Sequence, residues 1–303
     1  MIKIKSILSL LAFCSISIAN ASTVNIIQYN VKGDIRSARD HGIWSQNSLR
    51  SKELDLINSQ IQSKPVDFIA LEQAITDTHH GATPLLDDEL KSHYGLTNWK
   101  TYVNTNHLTS GDFDETEITF NTNRWKVLPN TTTPGNYWTT DNNNGVRPYN
   151  MIYLEGTAKD NSGEKVLFVA LHFPHYGSAA YWNTKQFIQD AQNTVGSGTK
   201  LTNVTVILAG DMNEVGDANG NASRLNSLKD FKTTFGAFKI SSINDTCCQN
   251  TQPRKYSLPY DQVATNHSNA TISGYVINPS SEIYPNHPNS EEHKAVYATI
   301  TLN

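Results

Sequence analysis

The stretch VTVILAGDMNE, residues 204–214, decides the fold prediction for this chain. Five of its first six residues are apolar, which is typical of a strand that is buried on both faces of a sheet. Gly210 ends the apolar run, and a carboxylate (Asp211) and an amide (Asn213) follow within three residues. An Asp-x-Asn sequence by itself is more typical of a turn than of a functional site. The interpretation of this stretch therefore depends on the residues at which the other strands end.

The first residues of the chain match a secretory signal. Two lysines precede an apolar stretch over residues 7–18, and Ala19-Asn20-Ala21 fits an A-x-A cleavage site. The apolar stretch is too short to span a bilayer comfortably, and no later stretch is long enough for a transmembrane helix. We therefore expect residues 1–21 to be a signal peptide that is cleaved near Ala21, and the protein to be secreted or periplasmic. No linker or repeat divides residues 22–303, which predicts a single domain.

The charge of the chain limits the kinds of partner that it attracts. The 303 residues include 24 Lys and Arg and 28 Asp and Glu, which gives a formal net charge of −4. Removal of residues 1–21 takes away two lysines and no acidic residue, so the mature chain carries −6. A mildly acidic protein has no general electrostatic attraction for nucleic acid. A bound divalent cation with a few local arginines can nevertheless bind one phosphate, so a nuclease is not excluded.

The mature chain keeps two adjacent cysteines, Cys247 and Cys248. A single adjacent pair is not a disulfide framework, and the chain has no C-x-x-C metal motif. The two residues either form a vicinal disulfide or remain thiols, and the sequence leaves both alternatives open.

Hydrophobic periodicity predicts strands that outnumber helices. Apolar runs predict six strands, over residues 24–31, 67–74, 150–158, 165–173, 204–211 and 293–302. The strand over 24–31 alternates as a half-buried strand does. Helical spacing predicts helices over 48–63 and 178–192, and composition predicts a polar loop over 130–146. This pattern favours an α/β fold in which two sheets pack face to face and the helices lie outside.

Polar residues follow or end several of the predicted strands. They are Asn30, Glu72, His172, Asp211, Asn213, Glu292 and His293. One His or one Asp-x-Asn alone is more typical of a structural hydrogen bond or a turn. Together they make an oxygen-rich edge, which suits Mg²⁺, with Mn²⁺ or Ca²⁺ as alternatives, better than Zn²⁺. Two histidines beside such a metal can act as general base and general acid. The combination fits hydrolysis of a phosphate ester.

The series QYNV, ALEQA, ALHFPH, AGDMNE, YDQVAT and SEEHKAV resembles the endonuclease/exonuclease/phosphatase superfamily. Within it, the series is most similar to the deoxyribonuclease I-like branch. The resemblance covers essentially residues 22–303, and GDMN and the histidine motif near the end are its most specific parts. It implies a four-layered α/β sandwich with two central mixed β-sheets.

The resemblance also implies a role for each motif residue on the metal and phosphate side of the site. Glu72 resembles the main metal-binding glutamate, and Asn30 resembles the asparagine that supports it. Asp211 is expected to position the attacking water or the metal, and Asn213 to hold a phosphoryl oxygen. Arg147, in VRPYNM, resembles an arginine that grips the phosphate.

On the proton-transfer side, the resemblance implies two histidines with different tasks. His293 resembles the base that activates water, and Asp261 of YDQVAT is expected to orient its other nitrogen. His172 resembles the residue that assists the leaving oxygen. A carboxylate from the start of a middle strand, within 112–120, is expected to pair with His172. Asp114, Glu115 and Glu117 are the candidates, of which we choose Glu115.

One motif departs from the family pattern. Glu291-Glu292-His293 stands where the family has Ser-Asp-His. Glu292 keeps the metal-binding charge, but the added methylene moves its carboxylate by roughly 1.5 Å. A displacement of about 1 Å can cost on the order of 100-fold in rate. The departure therefore predicts a shifted metal or a weaker or redirected activity, and an inactive relative is the extreme case.

The leading hypothesis is a secreted, divalent-metal-dependent phosphodiesterase that cleaves DNA. A sphingomyelinase-like phospholipase or a phosphatase of the same fold is the second hypothesis, for which Tyr137-Trp138 or Tyr181-Trp182 would contact a membrane. A toxin catalytic subunit resembling that of cytolethal distending toxin, which acts with partner chains, is the third. A binding protein without catalysis is the fourth.

Overall fold

The computed structural model describes ten segments of the chain. They are residues 21–31, 47–74, 84–103, 116–129, 136–139, 146–173, 184–213, 219–247, 259–277 and 293–303. Within them, only the backbone is described for residues 47–49, 136–139, 146–148 and 224. No helix in these segments has the length and apolarity that crossing a membrane requires.

The described segments form thirteen strands and five α-helices. The strands are β1 (Ser22–Asn30), β2 (Phe68–Glu72), β3 (Trp99–Val103), β4 (Thr116–Asn121), β5 (Trp125–Val127), β6 (Asn136–Thr139), β7 (Val146–Gly156), β8 (Lys165–His172), β9 (Thr205–Asp211), β10 (Lys239–Ile240), β11 (Asp261–Thr265), β12 (Thr271–Val276) and β13 (Val296–Leu302). The helices are α1 (Asn47–Ser63), α2 (Leu86–Tyr94), α3 (Thr184–Val195), α4 (Ser223–Ser227) and α5 (Lys229–Phe235).

The strands form two mixed sheets. The first sheet has six strands in the order β12-β13-β1-β2-β4-β3. The second has seven, in the order β10-β11-β9-β8-β7-β5, with β6 also paired to β7. The pairs β1–β2 and β8–β9 are parallel, and the other neighbouring strands are antiparallel.

Three apolar clusters show how the layers are stacked. One cluster lies between the sheets, where the rings of Phe68 and Phe168 stack with their centroids 4.3 Å apart. A second joins α1 and α2 to the outer face of the first sheet. The third joins α3, α4 and α5 to the outer face of the second sheet. The four-layered α/β sandwich with two central mixed β-sheets that the sequence predicted is therefore confirmed.

The burial of β1 differs from the half-buried strand that its alternating sequence predicted. All but one of its residues are buried, and residues of both faces lie in apolar clusters. The reason is that β1 is an interior strand of a sheet that is covered on one face by the other sheet and on the other face by helices. A polar residue inside this strand is therefore buried whichever way it points.

The predicted polar loop over 130–146 is wrong where the structure describes it. Residues Asn136–Thr139 form β6, which pairs with the start of β7. Tyr137 and Trp138 have high strand propensity, and an available β7 edge is enough to pair them. The remainder of that segment, up to β7, lies outside the described residues.

Four helices differ from the sequence prediction, since α4 and α5, like α2, were not predicted. Helix α3 ends at Val195, three residues beyond the predicted end, because Phe187, Ala191 and Val195 continue a buried i, i+4 row. The predicted residues 178–183 lie outside the described segments. Helix α2 was not predicted, although Leu86 and Leu90 form a buried pair of the same spacing.

A buried carboxylate ties the two sheets together at one end of the sandwich. Asp67 precedes β2 and is fully buried. Its Oδ2 accepts from the backbone N–H of Asn25 at 2.8 Å, and its Oδ1 accepts from Arg124 Nε at 2.6 Å and from Trp125 Nε1 at 2.7 Å. Since Trp125 belongs to the second sheet, these bonds join the sheets as well as neutralise the buried charge.

Gly210 allows the parallel strands β8 and β9 to approach closely at their carboxyl ends. A Cβ added at Gly210 would overlap with the backbone oxygen of Leu171, its partner in β8. The pair that follows, His172 and Asp211, therefore sits at a position that a larger residue at 210 would displace. This is the structural reason for the glycine that ends the apolar run of VTVILAG.

Replacement of Asp67 by alanine should lower the free energy of unfolding by about 3 kcal/mol, because the buried indole N–H of Trp125 loses its acceptor and the partly buried Arg124 loses one of its two carboxylate partners. Urea unfolding of the purified domain measures the change. Asp160→Ala is the matched control, since Asp160 also pairs with Arg124 but its side chain is 48% exposed. Its effect should stay below about 1 kcal/mol. Equal effects of the two substitutions would contradict the inter-sheet tie.

Gly210→Ala should lower the free energy of unfolding by about 2 kcal/mol, because β8 and β9 must separate to admit the methyl group. A Cβ at Gly198 meets no atom within 4 Å, so Gly198→Ala serves as the control. That control should change stability by less than about 1 kcal/mol, since it mainly reduces the freedom of the unfolded chain. Thermal unfolding followed by circular dichroism compares the two, and a neutral Gly210→Ala would disprove the close approach.

Candidate active site

The second sheet places three polar residues side by side, at the carboxyl ends of β8 and β9 and at the amino end of the antiparallel β11. His172 of β8 lies opposite Asp211 of β9, and Asp211 lies opposite Asp261 of β11. Because side chains alternate along a strand, these residues point to the same face as Ala170 and Ala209, which line the core between the sheets. The apolar inter-sheet core thus ends in a polar edge.

The first sheet supplies the other side of the same edge. Asn30 of β1 and Glu72 of β2 are partners in the parallel register, and both are buried. Two residues earlier, Gln28 donates from Nε2 to Glu72 Oε2 at 2.7 Å and to Asp261 Oδ1 at 3.1 Å. The contact to Asp261 shows that the two sheets face each other here. We call the set Gln28, Asn30, Glu72, His172, Asp211, Asp261 and His293 the polar edge.

The two histidines of the polar edge lie on either side of Asp211. His293 Nδ1 lies 2.9 and 3.0 Å from the two carboxylate oxygens of Asp261. Its Nε2 lies 3.8 Å from Asp211 Oδ2, and the same oxygen lies 3.3 Å from His172 Nε2. Asp261 thus orients one nitrogen of His293 and leaves the other directed toward Asp211. The structure brings together all four of these predicted residues.

The electrostatics of Asp261 follow from its full burial. Burial raises the pKa of its carboxyl group, and the charge and hydrogen bond of His293 act in the opposite direction. The negative charge of Asp211 adds to the rise, and the hydrogen bond from Gln28 opposes it. Asp261 is therefore a carboxylate whose charge depends on the groups that contact it.

The GDMN turn that follows β9 is held by its own hydrogen bonds. Asp211 Oδ1 accepts from the backbone N–H of Asn213 at 3.1 Å, and Asn213 Nδ2 donates to the backbone oxygen of Phe173 at 2.7 Å. Asn213 has a φ of 46°, a left-handed conformation that asparagine adopts more readily than most residues. These bonds fix Asp211 and Asn213 at the polar edge and explain why an Asp-x-Asn sequence stands here.

His293 is positioned by a short pairing with residues 246–247. Lys294 N–H donates to the backbone oxygen of Thr246 at 2.8 Å, and Thr246 Oγ1 accepts from the backbone N–H of Asp261 at 3.0 Å. Cys247 forms an isolated bridge with His293, and its Sγ lies 3.7 Å from His293 Nε2. Thr246 and Cys247 were not identified from the sequence as part of the site.

Cys247 is disulfide-bonded, which excludes the free thiol for this residue. Vicinal pairing with Cys248 stays a prediction, because Cys248 lies outside the described residues. The ligand atoms of Cys247, Asp261 and His293 lie within 4.8 Å of one another. They do not make a convincing metal site, because a disulfide sulfur offers no thiolate and the nearest atoms of Asp261 and His293 already contact each other.

Some predicted site residues lie outside the described part of the chain. Glu115 and Glu292 are among them, and Arg147 is described by its backbone alone, in β7 opposite Trp138. Glu117, another candidate partner for His172, lies opposite Leu71, which packs against the helices. Glu117 is therefore on the outer face of its sheet, where it cannot contact His172.

Gln28 is the residue of the polar edge that the sequence analysis missed. It occupies an inward position of β1, two residues before Asn30, and its side chain is fully buried. The signal in the sequence is a glutamine within the apolar run VNIIQYNV. The alternating sequence predicted a half-buried strand, and in such a strand a glutamine can face solvent. Periodicity alone therefore did not mark Gln28 as buried.

The donor set of the polar edge fits a divalent cation. Glu72, Asp211 and Asp261 are three carboxylates, none more than 3% exposed, and Gln28 bridges two of them. Such a cluster of buried negative charge is unfavourable unless cations or donors compensate it. Carboxylate and amide oxygens are the ligands that Mg²⁺ and Ca²⁺ prefer, so Glu72 and Asn30 are suited to hold such an ion.

No protein-family profile and no curated protein sequence matches the chain. Solved structures do match it, although at low sequence identity. An endonuclease/exonuclease/phosphatase family protein from Bacteroides thetaiotaomicron is 13% identical, with a TM-score of 0.60, over 93% of this chain and 99% of that one.

Two further solved structures have the same architecture. A mannosyl-6-phosphatase from Bacteroides thetaiotaomicron is 14% identical, with a TM-score of 0.57, over 91% of this chain and 99% of that one. The human Nocturnin catalytic domain, with a bound sulfate anion, is 13% identical, with a TM-score of 0.51, over 93% of this chain and 95% of that one. The chain therefore has the fold of the endonuclease/exonuclease/phosphatase proteins, as its sequence motifs predicted.

Proposed function

We propose that the protein is a divalent-metal-dependent phosphodiesterase, and that DNA is its substrate. One observation carries the proposal: His172 and His293 lie on either side of Asp211, while Asp261 binds the far nitrogen of His293. Hydrolysis of a phosphodiester needs a base for the attacking water and an acid for the leaving oxygen. Two histidines that both approach the same oxygen of Asp211 provide both groups at a single edge.

His293 is the proposed base. Asp261 accepts a hydrogen bond from Nδ1 of His293. This bond favours the His293 tautomer that carries the proton on Nδ1 and the lone pair on Nε2. That nitrogen removes a proton from water as the water attacks phosphorus. Asp261 then stabilises the imidazolium that forms, because its carboxylate lies 2.9 Å from Nδ1.

His172 is the proposed acid. Its Nε2 lies 3.3 Å from Asp211 Oδ2, so the carboxylate holds the ring at the polar edge. In its protonated form, His172 donates a proton to the leaving oxygen. Asp211 orients the attacking water between the two rings, and Asn213 is proposed to contact a phosphoryl oxygen.

Glu72, Asn30 and Glu292 would hold the divalent cation, for which Mg²⁺ is our first choice and Mn²⁺ or Ca²⁺ are alternatives. When bound, the ion supplies positive charge that stabilises the phosphoryl oxygens in the transition state. Arg147 is proposed to grip the same phosphate, since the mature chain is otherwise acidic. Because Glu292 is longer than aspartate, this part of the site is where we expect the activity to differ from the family pattern.

The choice of DNA rests on the sequence ALHFPHYGS around His172, which is similar to deoxyribonuclease I. A phosphatase is the second candidate, favoured by the match to a mannosyl-6-phosphatase. A sphingomyelinase-like phospholipase and a toxin subunit with partner chains use the same fold and remain alternatives for the substrate assay.

We also propose that residues 1–21 are removed on export. The support is that β1 begins at Ser22, directly after the predicted cleavage point at Ala21. Cleavage there leaves the pairing of Ser22 with Leu302 intact. The mature N-terminus is therefore compatible with a complete first sheet.

Purified residues 22–303 should convert supercoiled plasmid to open circles in the presence of Mg²⁺, and EDTA should abolish the reaction. His172→Ala and His293→Ala should each slow nicking by about 100-fold or more, because each removes one proton-transfer group. His93→Ala is the control, since His93 lies on the outer helix α2 and is more than half exposed. It should nick plasmid at the rate of the unmodified domain.

The same preparations should be offered RNA, sphingomyelin vesicles and mannose 6-phosphate. If the plasmid stays intact while phosphate is released from mannose 6-phosphate or phosphocholine from sphingomyelin, the proposed substrate changes from DNA to that compound. The proposed catalytic roles of the two histidines would then be unchanged. Full plasmid nicking by both histidine variants would remove the catalytic assignment itself.

A further inference from the structure

Gln28 joins the two halves of the polar edge through one amide group. Its Nε2 lies 2.7 Å from Glu72 Oε2, in the same sheet, and 3.1 Å from Asp261 Oδ1, in the opposite sheet. Glu72 belongs to the proposed metal side, and Asp261 orients the proposed base.

The chemistry of the three groups fixes how Gln28 is oriented. An ionised carboxylate only accepts hydrogen bonds, and the amide nitrogen carries two hydrogens. Each hydrogen is therefore used by one carboxylate, and rotation of the amide would bring its oxygen against both negative charges. The orientation leaves Gln28 Oε1 buried, with no hydrogen-bond partner among the described residues.

A side chain that served only to fill the core would not carry these features. Gln28 is fully buried, and the inward residues that precede it in β1, Val24 and Ile26, are apolar. An apolar residue of similar size would avoid the desolvation of a buried amide. The two amide hydrogens of Gln28 thus hold two carboxylates in place. Its amide oxygen is buried and has no hydrogen-bond partner among the described residues.

We propose that Gln28 is a positioning residue that sets Glu72 and the His293–Asp261 pair at a fixed separation across the two sheets. The inference rests on the proposed function, since it assigns Glu72 to the metal and His293 to the base. Gln28 contacts neither the metal nor the substrate. It acts through Glu72 on metal binding and through Asp261 on proton transfer.

The test uses Gln28→Met in residues 22–303, because methionine has a similar length and donates no hydrogen bond. Mn²⁺ binding is measured by electron paramagnetic resonance without substrate. We expect the Mn²⁺ dissociation constant to rise about tenfold, as is usual when a hydrogen bond to a metal-binding side chain is removed. At saturating Mg²⁺, kcat should also fall at least about tenfold, because Asp261 loses a hydrogen bond that orders it.

Gln262→Met is the matched control. Gln262 is also a buried glutamine in a strand, but its amide donates to the backbone oxygens of Ile243 and Pro259. This substitution should lower stability and leave Mn²⁺ affinity unchanged. Gln28→Asn is the second variant, and it keeps an amide that is one methylene too short to reach both carboxylates. Gln28→Asn should also raise the Mn²⁺ dissociation constant and lower kcat. It therefore tests the inference even if Gln28→Met does not fold.

The outcomes separate this inference from the proposed substrate. If the unmodified domain binds Mn²⁺ but nicks no plasmid, kcat is measured on bis(p-nitrophenyl) phosphate instead. The inference is then tested by the Mn²⁺ affinity and the kcat of the Gln28 variants on that substrate. Unchanged Mn²⁺ affinity and kcat in folded Gln28 variants would overturn it. An equal loss of affinity in Gln262→Met would also overturn it, since the effect would then be one of general stability. Absence of Mn²⁺ binding by the unmodified domain would overturn both the metal assignment and this inference.

Discussion

The burial of three carboxylates at one edge of an apolar core is the constraint on which the site depends. Glu72, Asp211 and Asp261 are almost completely removed from water. Each ionised carboxylate in such a place costs several kcal/mol unless neighbouring groups compensate it. The compensation comes from two histidines and from the amide of Gln28, which contacts carboxylates of both sheets. The arrangement that makes these charges tolerable is also the arrangement that can do chemistry.

The opposite end of the sandwich also buries a carboxylate, but different groups compensate its charge. Asp67 is equally buried, but its partners are the guanidinium of Arg124, the indole of Trp125 and the amides of Asn25. A guanidinium keeps its proton at any physiological pH, so that network can only hold the sheets together. Imidazole exchanges its proton near neutral pH, which suits the polar edge to the proton transfers that we propose for it. The choice of partner thus distinguishes the structural carboxylate Asp67 from the carboxylates for which we propose a function.

Much of the site was predictable because its residues stand where apolar runs end. His172 and Asp211 follow continuous buried runs, and strand ends of one sheet gather at one edge whatever the details of packing. Gln28 was missed because it stands inside a run, and its burial depends on a second covering layer that alternation does not reveal. Strand β6 was missed because a polar composition outweighed two aromatic residues that needed only a neighbouring edge.

The sequence by itself determined the class of the fold, the succession of its main strands along the chain and the residues that end them. Local periodicity and the placement of glycine encode these features. Apart from the pair of Asp261 and His293, which the family resemblance implied, only the tertiary structure decided which side chains meet. The contact between Gln28 and Asp261 spans 233 residues, and that between Gln28 and Glu72 spans 44. Such contacts depend on how two sheets face each other across a packed core, and no pattern within either strand specifies that distance.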